Sequence, residues 1–274
     1  MNKLVVGTPL FAVILLILPA FSTLAFADEG ILDVGLETPL LFSLDGAVEI
    51  VGDPNQSKPS YTIEAVDRGD RPITGLSIDA KPDAKGVRLI LAKQPGTPAI
   101  NGDPKIKVVV NPLQPILLNR VTGNYTIHNN SSVIRGEFRE GKLIIDRSTG
   151  EVDLEVDKGS VEVLNLKTEG KPFFLKMNQG RIKVEVTSDH PGPGDIVLKN
   201  GRVYWMLLKP APLRFYTHVG QGLINCNLNV LRKAQDSFFF SSMNGESLWT
   251  VDVQNGAVDI KLPEPKDKPK KIFF

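Results

Sequence analysis

The side chains most often used in catalysis are scattered through this sequence of 274 residues. The three histidines, His128, His190 and His218, are not spaced from one another as metal ligands would be. The turn that starts at His190, His-Pro-Gly-Pro-Gly-Asp, lacks the strand-to-helix setting of a phosphate-binding loop. The Gly-x-Ser-x-Gly, His-Glu-x-x-His and Cys-x-x-Cys motifs do not occur. We therefore predict that the protein is not an enzyme and has no catalytic residues, no metal site and no cofactor.

Four acidic residues alternate along one predicted strand and share one of its faces: Glu151, Asp153, Glu155 and Asp157. Calcium takes six to eight oxygen ligands, but carboxylates on an extended strand diverge, and no Asp/Gly-rich loop accompanies these four. We predict instead a solvated face whose carboxylates pair with Arg181 or Lys183 on a neighbouring strand.

The only cysteine, Cys226, has no partner for an intramolecular disulfide. It falls in a column of apolar residues with Val163, Val184 and Trp205, and no histidine is near it in sequence. We therefore interpret Cys226 as a small buried apolar residue rather than as a reactive thiol.

These residues belong to a repeat. Gly159, Gly180, Gly201 and Gly222 each follow the last by 21 residues. The second and fourth residues after each glycine are apolar, and this period of two predicts strands. A second apolar cluster follows half a period later, which indicates two strands per coil. A fixed period of this length is typical of units that bury their apolar faces by stacking. We predict an all-β fold with a β-solenoid, or a closely related sheet of stacked hairpins.

The remaining chain divides around the repeat. Residues 41–118 contain short predicted strands between Pro/Gly/Asp-rich turns, which indicates a β-sandwich-like sheet layer. Residues 119–263 carry the predicted β-solenoid, and residues 28–40 form an amino-terminal extension. The Pro- and Lys-rich residues 264–274 are predicted to be a flexible basic tail.

Residues 1–27 resemble a secretory signal peptide. Lys3 is their only charge, an apolar run follows it, and the segment ends in Ala-Phe-Ala. The alternative is an uncleaved membrane anchor, because the uncharged stretch is long enough to span ~30 Å of hydrocarbon. We predict an exported protein that is periplasmic, at the cell surface or extracellular. Its net charge of +1 gives no electrostatic reason to expect nucleic acid as a partner.

Apolar residues recur on the predicted outer faces of the strands, and contiguous exposed apolar surface usually marks an interaction site. We predict that they contact a protein partner, a neighbouring copy or a glycan. The alternative is that the amino-terminal layer or a loop covers them. The residues are Phe174, Val197, Tyr204, Met206, Leu208, Tyr216 and Phe239.

The sequence resembles the toast-rack family of bacterial and archaeal adhesin-like repeat proteins across about residues 42–262. The resemblance rests on an early strand, Ala47-Val-Glu-Ile50, on a strand that ends in Pro112, and on repeated Gly-hydrophobic-x-hydrophobic units. It implies a surface-exposed β-solenoid with a role in adhesion, and it carries over no catalytic residues.

These observations lead to one functional prediction and two alternatives. We predict a non-enzymatic secreted or cell-envelope protein that acts as an adhesion, scaffolding or ligand-binding module. One alternative is a self-assembling extracellular polymer subunit, in which residues 31–36 or 272–274 add a strand to the next copy. The other is a carbohydrate-active enzyme.

Overall fold

The computed structural model describes residues 27–227, 236–242, 245 and 247–263. Every regular element in these residues is a β-strand, which confirms the all-β prediction. The strands are β1 (Asp28–Ile31), β2 (Leu40–Phe42), β3 (Gly46–Gly52), β4 (Ser60–Glu64), β5 (Leu76–Asp83), β6 (Gly86–Lys93), β7 (Lys105–Val110), β8 (Ile116–His128), β9 (Ile134–Asp146), β10 (Val152–Leu166), β11 (Phe173–Val186), β12 (Gly194–Leu207), β13 (Leu213–Cys226), β14 (Ser237–Ser242) and β15 (Ser247–Lys261).

The strands form a single sheet whose long members pair in parallel, as predicted for a stacked strand repeat. Its order is β1-β4-β7-β3-β8-β9-β10-β11-β12-β15-β13-β14, and β2, β6 and β5 branch from β8. Each long strand bends at a central glycine, and we call the part before the glycine the first arm and the part after it the second arm.

The two arms of each coil enclose a common core. In β11, alternate first-arm residues from Phe173 to Met177 are buried, and so are alternate second-arm residues from Ile182 to Val186. The ring of Trp205, on a second arm, lies 4.4 Å from that of Phe215, on a first arm, measured between centroids. Each fully buried side chain of this kind stabilises the fold by ~1.5–3 kcal/mol.

The glycines at the bends stack on one another and explain the repeat. Their spatial order is Gly46, Gly123, Gly141, Gly159, Gly180, Gly201, Gly256 and Gly222. Their φ angles lie between +119° and +146°, a region that side-chain-bearing residues avoid. An ideal β-carbon on each glycine after the first would stand 1.6 to 2.2 Å from the carbonyl oxygen of the glycine before it. Only glycine permits this stacking.

The amino-terminal strands extend the same two arms. β3, β7, β4 and β1 continue the second arm of β8, whereas β2, β6 and β5 continue its first arm. The sheet therefore crosses residue 118 without a break, inside β8. One hydrophobic cluster includes Val48 and Ile50 from the amino-terminal strands together with Val163 and Val184 from the repeats.

The carboxyl-terminal strands are not stacked in chain order. β15 lies between β12 and β13, so Gly256 pairs with Gly201 on one side and with Gly222 on the other. The 21-residue period predicts that Gly222 follows Gly201 directly, and this part of the prediction is wrong. Val163, Val184 and Trp205 are neighbours as predicted, whereas Cys226 pairs with Ile260 of the inserted strand.

The connections between coils add buried polar side chains to the backbone hydrogen bonds that join them. The Asn130 side chain donates to the carbonyl of Gln114 at 3.2 Å, and the Ser148 hydroxyl donates to the carbonyl of Asn130 at 3.1 Å. The Thr168 hydroxyl accepts from the Gly192 amide at 2.6 Å. Buried backbone groups must find partners, and these side chains supply them where the ladder is interrupted.

Residues 31–36 were predicted to add a strand to the next copy, but two of them pack into the core of their own chain. Leu32 and Val34 are buried in the core, and the Leu32 amide donates to the carbonyl of Pro59 at 2.7 Å. Residues 1–26 of the predicted signal peptide and the predicted tail, 264–274, lie outside the described residues. Within the residues that are described, no helix is long and apolar enough to cross a membrane.

Candidate functional site

The predicted interaction residues separate into two groups on different faces. Four lie on the outer face of the first arms: Phe174, Val197, Tyr216 and Phe239. Tyr204 and Met206 lie on the outer face of the second arm of β12, and Leu208 follows that strand. The glycine bend separates the two arms of every coil, so the seven residues do not form one stripe.

Tyr216 and Phe239 form an exposed aromatic pair on the outer face of the first arms. They are direct partners on the antiparallel strands β13 and β14, with exposed fractions of 43% and 44%. Phe174 lies in the same row across the sheet, but Asp195 of β12 and Thr250 of β15 stand between it and Tyr216. Neighbouring strands are ~4.8 Å apart, so Phe174 is about three strand separations from Tyr216.

A shallow depression of about 520 Å³ lies beside Tyr216 across β12, β15 and β13. The Thr250 hydroxyl donates to the Asp195 carboxylate, and Nδ1 of His218 lies 3.4 Å from a carboxylate oxygen of Asp252. The side chain of Asp252 is 54% exposed, so its carboxylate is open to a ligand. The residues that line the depression are Asp195, Val197, Tyr216, His218, Thr250, Val251 and Asp252.

Tyr204 of the second-arm group is engaged by contacts within the chain, whereas Leu208 is 46% exposed. The guanidinium carbons of Arg181 and Arg202 lie 5.9 Å and 5.0 Å from the centroid of the half-buried Tyr204 ring. Arg202 donates two hydrogen bonds to Asp259, at 2.5 and 3.1 Å. These hydrogen bonds hold the pKa of Asp259 below its usual value, and a further bond from Asn225 acts in the same direction. This cluster joins β12, β15 and β13.

The acidic strand face has partners other than those predicted. Arg135 forms ion pairs with Glu151 at 2.7 Å and with Asp153 at 3.0 Å. Lys176 pairs with Glu155 at 3.1 Å. The prediction of Arg181 or Lys183 is wrong because both residues follow the bend at Gly180, whereas the four acids precede the bend at Gly159. Among the described residues, no three His, Cys, Asp or Glu side chains are grouped to hold a metal ion.

The sequence did not reveal the polar residues of the depression. Asp195, Thr250 and Asp252 alternate outward on their own strands, but β12 and β15 are far apart in the chain. Asp195 of β12 becomes a neighbour of Thr250 and Asp252 only because β15 is inserted beside β12. The position of His218 next to Asp252 follows from the same insertion. Cys226, next to Ile260, is half-buried and packs against the core.

Comparison with known proteins gives no family. No protein-family model matches the chain, and no curated protein matches it. A solved structure from Clostridium sporogenes, described as a "putative cell adhesion protein", aligns with 87% of this chain and 99% of its own, at 12% identity and a TM-score of 0.41. Another from Parabacteroides distasonis, described as a "Putative lipid binding protein", aligns with 87% of this chain and 97% of its own, at 11% identity and a TM-score of 0.29. The resemblance to the toast-rack family stays a prediction.

Proposed function

We propose that the protein is an exported, non-enzymatic adhesion module that binds a carbohydrate through the outer face of its first arms. The observation that carries this proposal is the position of Tyr216 and Phe239 beside the depression formed by β12, β15 and β13. The two exposed rings provide an apolar surface, and Asp195, Thr250 and Asp252 provide polar groups next to it.

A sugar ring matches this combination of groups. Its C–H faces pack on an aromatic ring, while its hydroxyls donate hydrogen bonds to carboxylates. Asp252 presents an exposed carboxylate, and Thr250, on the same strand, lies directly beside Tyr216 of β13. Apolar surface next to a few directed polar groups is the usual composition of a small-ligand site.

The stacked coils make this face rigid. The strands that carry the site are hydrogen-bonded on both sides at β12 and β15, and their glycine bends hold neighbouring backbones in close contact. A rigid site loses little conformational entropy when a ligand binds, which favours affinity from a shallow surface.

A glycan array tests the proposal. The chain from residue 28 onward is applied to an array of neutral, acidic and amino sugars, with Tyr216→Ala as a second sample. We expect one class of carbohydrate to retain the unmodified chain and to lose most of its signal with the variant. Retention of no carbohydrate, or equal retention of both samples, would contradict the proposal. Release of reducing sugar from a bound polysaccharide would favour the alternative of a carbohydrate-active enzyme.

A further inference from the structure

The coil that follows Gly201 spans more of the sheet than its length predicts. From Gly159 to Gly180, and from Gly180 to Gly201, a coil of 21 residues advances by one strand. From Gly201 to Gly222 a coil of the same length advances by two strands, because β15 lies between them. The rise therefore changes from ~4.8 Å to about twice that distance without any added residues.

β13 carries the residues needed to pair with β12 directly. Its paired register with β15 places the same kinds of side chain side by side on the core face of both strands. Both strands have a glycine at the bend, and both have aromatic or aliphatic residues at nearly every buried position. The matched positions are Phe215 with Trp249, Thr217 with Val251, Val219 with Val253, Ile224 with Val258 and Cys226 with Ile260. The place beside β12 thus fits either strand.

β15 has contacts that β13 does not reproduce. The Trp249 ring fills the space beside Gly194, stacks 5.3 Å from Phe173 between centroids, and donates its indole N–H to the carbonyl of Gly192 at 2.9 Å. The aligned Phe215 has no N–H to donate. Asp259 also accepts the two hydrogen bonds from Arg202 of β12. These contacts explain why β15 takes the place beside β12.

β15 lies between β12 and β13 in the sheet, but it does not directly follow either strand in the sequence. β12 and β13 form the two sides of its place in the sheet, and β15 is joined to them only through β14 and the connections around it. A β15 strand from a second copy has the same side chains and the same backbone groups. It would pair with β12 and β13 in the same register, and the connection from Ser242 to Ser247 would then run to the other copy.

We propose that the place between β12 and β13 is an interaction surface for β15 of a second copy, and that two copies associate by exchanging this strand. The chain is synthesised from its amino terminus, so β13 is present before β15 and would at that stage be free to pair with β12 in the 21-residue register. A β15 strand that pairs with β12 moves β13 one position further along the sheet. This β15 strand belongs either to the same chain or to a neighbouring copy. High protein concentration during folding favours the neighbour. This proposal is independent of carbohydrate binding.

Cysteine pairs on the outer face detect the exchange. Leu223 of β13 and Ala257 of β15 are in register, ~4.8 Å apart, which is within the reach of a disulfide. Full chains with Leu223→Cys and full chains with Ala257→Cys, both with Cys226→Ser, are unfolded together, refolded at increasing concentration and oxidised. The control mixes Leu223→Cys with Arg181→Cys, because Arg181 is in the same row but three strands from Leu223.

Disulfide-linked heterodimers are counted on a non-reducing gel and by mass spectrometry. We expect at least fivefold more heterodimer from the Leu223/Ala257 mixture than from the control, and a fraction that rises with concentration during refolding. Equal yields from the two mixtures at every concentration would overturn the proposal. A single chain with both substitutions, refolded at high dilution, is expected to form the disulfide internally. Its failure to do so would contradict the strand order and overturn the proposal as well.

Discussion

The carbonyl oxygen of Gly159 stands 1.9 Å from the position that a β-carbon on Gly180 would occupy. The two glycines are paired at the bends of β10 and β11, and Gly180 has a φ of +143°. Both the backbone conformation and the close approach therefore require glycine at this position. The same relationship recurs along the glycine row, so each bend depends on the bend before it.

Gly180→Ala is expected to unfold part of the stack. A side chain in this φ region costs ~1–3 kcal/mol before any overlap is counted, and the overlap here is with backbone that cannot move aside. Gly170→Ala is the matched control, since Gly170 also has a positive φ, of +82°, but its β-carbon would meet nothing within 4 Å. Urea unfolding should show a loss of several kcal/mol for Gly180→Ala and of about 1 kcal/mol for Gly170→Ala. Equal losses would contradict the close-contact explanation.

Part of this row was visible in the sequence and part was not. Gly159, Gly180 and Gly201 share one coil length, so their period was readable. Gly123 and Gly141 belong to the same row, but the coils there are 18 residues long, and a search at one period does not find them. Coil length changes because the connections differ, whereas the bend residue is fixed by the contact between backbones.

The insertion of β15 was not predictable from pattern alone. β13 and β15 both satisfy the requirements of the place beside β12, and Gly222 has the correct 21-residue spacing. The choice depends on Trp249, which packs beside Gly194, and on contacts between strands distant in the chain. The candidate site has the same origin, because Asp195 and Thr250 meet only through this insertion.

A charge placed in the core should be far more damaging than the same charge on the outer face. Val184 has no exposed surface, whereas its neighbour Lys183 points outward and pairs with Glu185. Val184→Asp buries a carboxylate without a partner and is expected to cost at least ~3 kcal/mol. Lys183→Asp should cost about 1 kcal/mol or less, because surface pairs contribute little. Thermal unfolding measures both, and equal effects would contradict the assignment of the two faces.

Trp249→Ala tests the contacts that hold β15. The ring is fully buried between Phe173 and Trp205, and its removal leaves a large cavity. We expect a loss of ~3–5 kcal/mol. Hydrogen exchange should show β13, β14 and β15 losing protection while β9 to β11 keep theirs. The control is Leu248→Ala, since Leu248 is 40% exposed and its removal leaves no enclosed cavity. Uniform loss of protection throughout the sheet would contradict the expectation that Trp249 stabilises β13, β14 and β15 without affecting β9 to β11.

The Arg202–Asp259 pair predicts a specific acid sensitivity. Hydrogen bonding to Arg202 lowers the pKa of Asp259 in the folded state, below the unfolded value of about 3.9. The pair therefore stabilises the fold above that pH, and the stabilisation is lost as the pH falls through the folded pKa. Asp259→Asn lacks this contribution at all pH values.

Urea midpoints of the two proteins between pH 7 and pH 2 measure the effect. The difference in stability should be largest near pH 7 and should shrink below about pH 4. Other carboxylates with lowered pKa values, such as Asp67 and Asp146, affect both proteins equally and cancel in the difference. A difference that stays constant over the whole range would show that Asp259 contributes no linked stabilisation.

The most direct test of the proposed binding face compares two tyrosines on the same coil stack. Tyr216 lies beside the depression on the first arms, and Tyr204 lies on the second arm of β12. The dissociation constant of the carbohydrate retained on the array is measured by titration calorimetry for the unmodified chain, Tyr216→Ala and Tyr204→Ala. We predict an increase of roughly tenfold or more for Tyr216→Ala, which is ~1.4 kcal/mol, and less than twofold for Tyr204→Ala. An unchanged dissociation constant for Tyr216→Ala, or an equal increase for both variants, would contradict the proposed site.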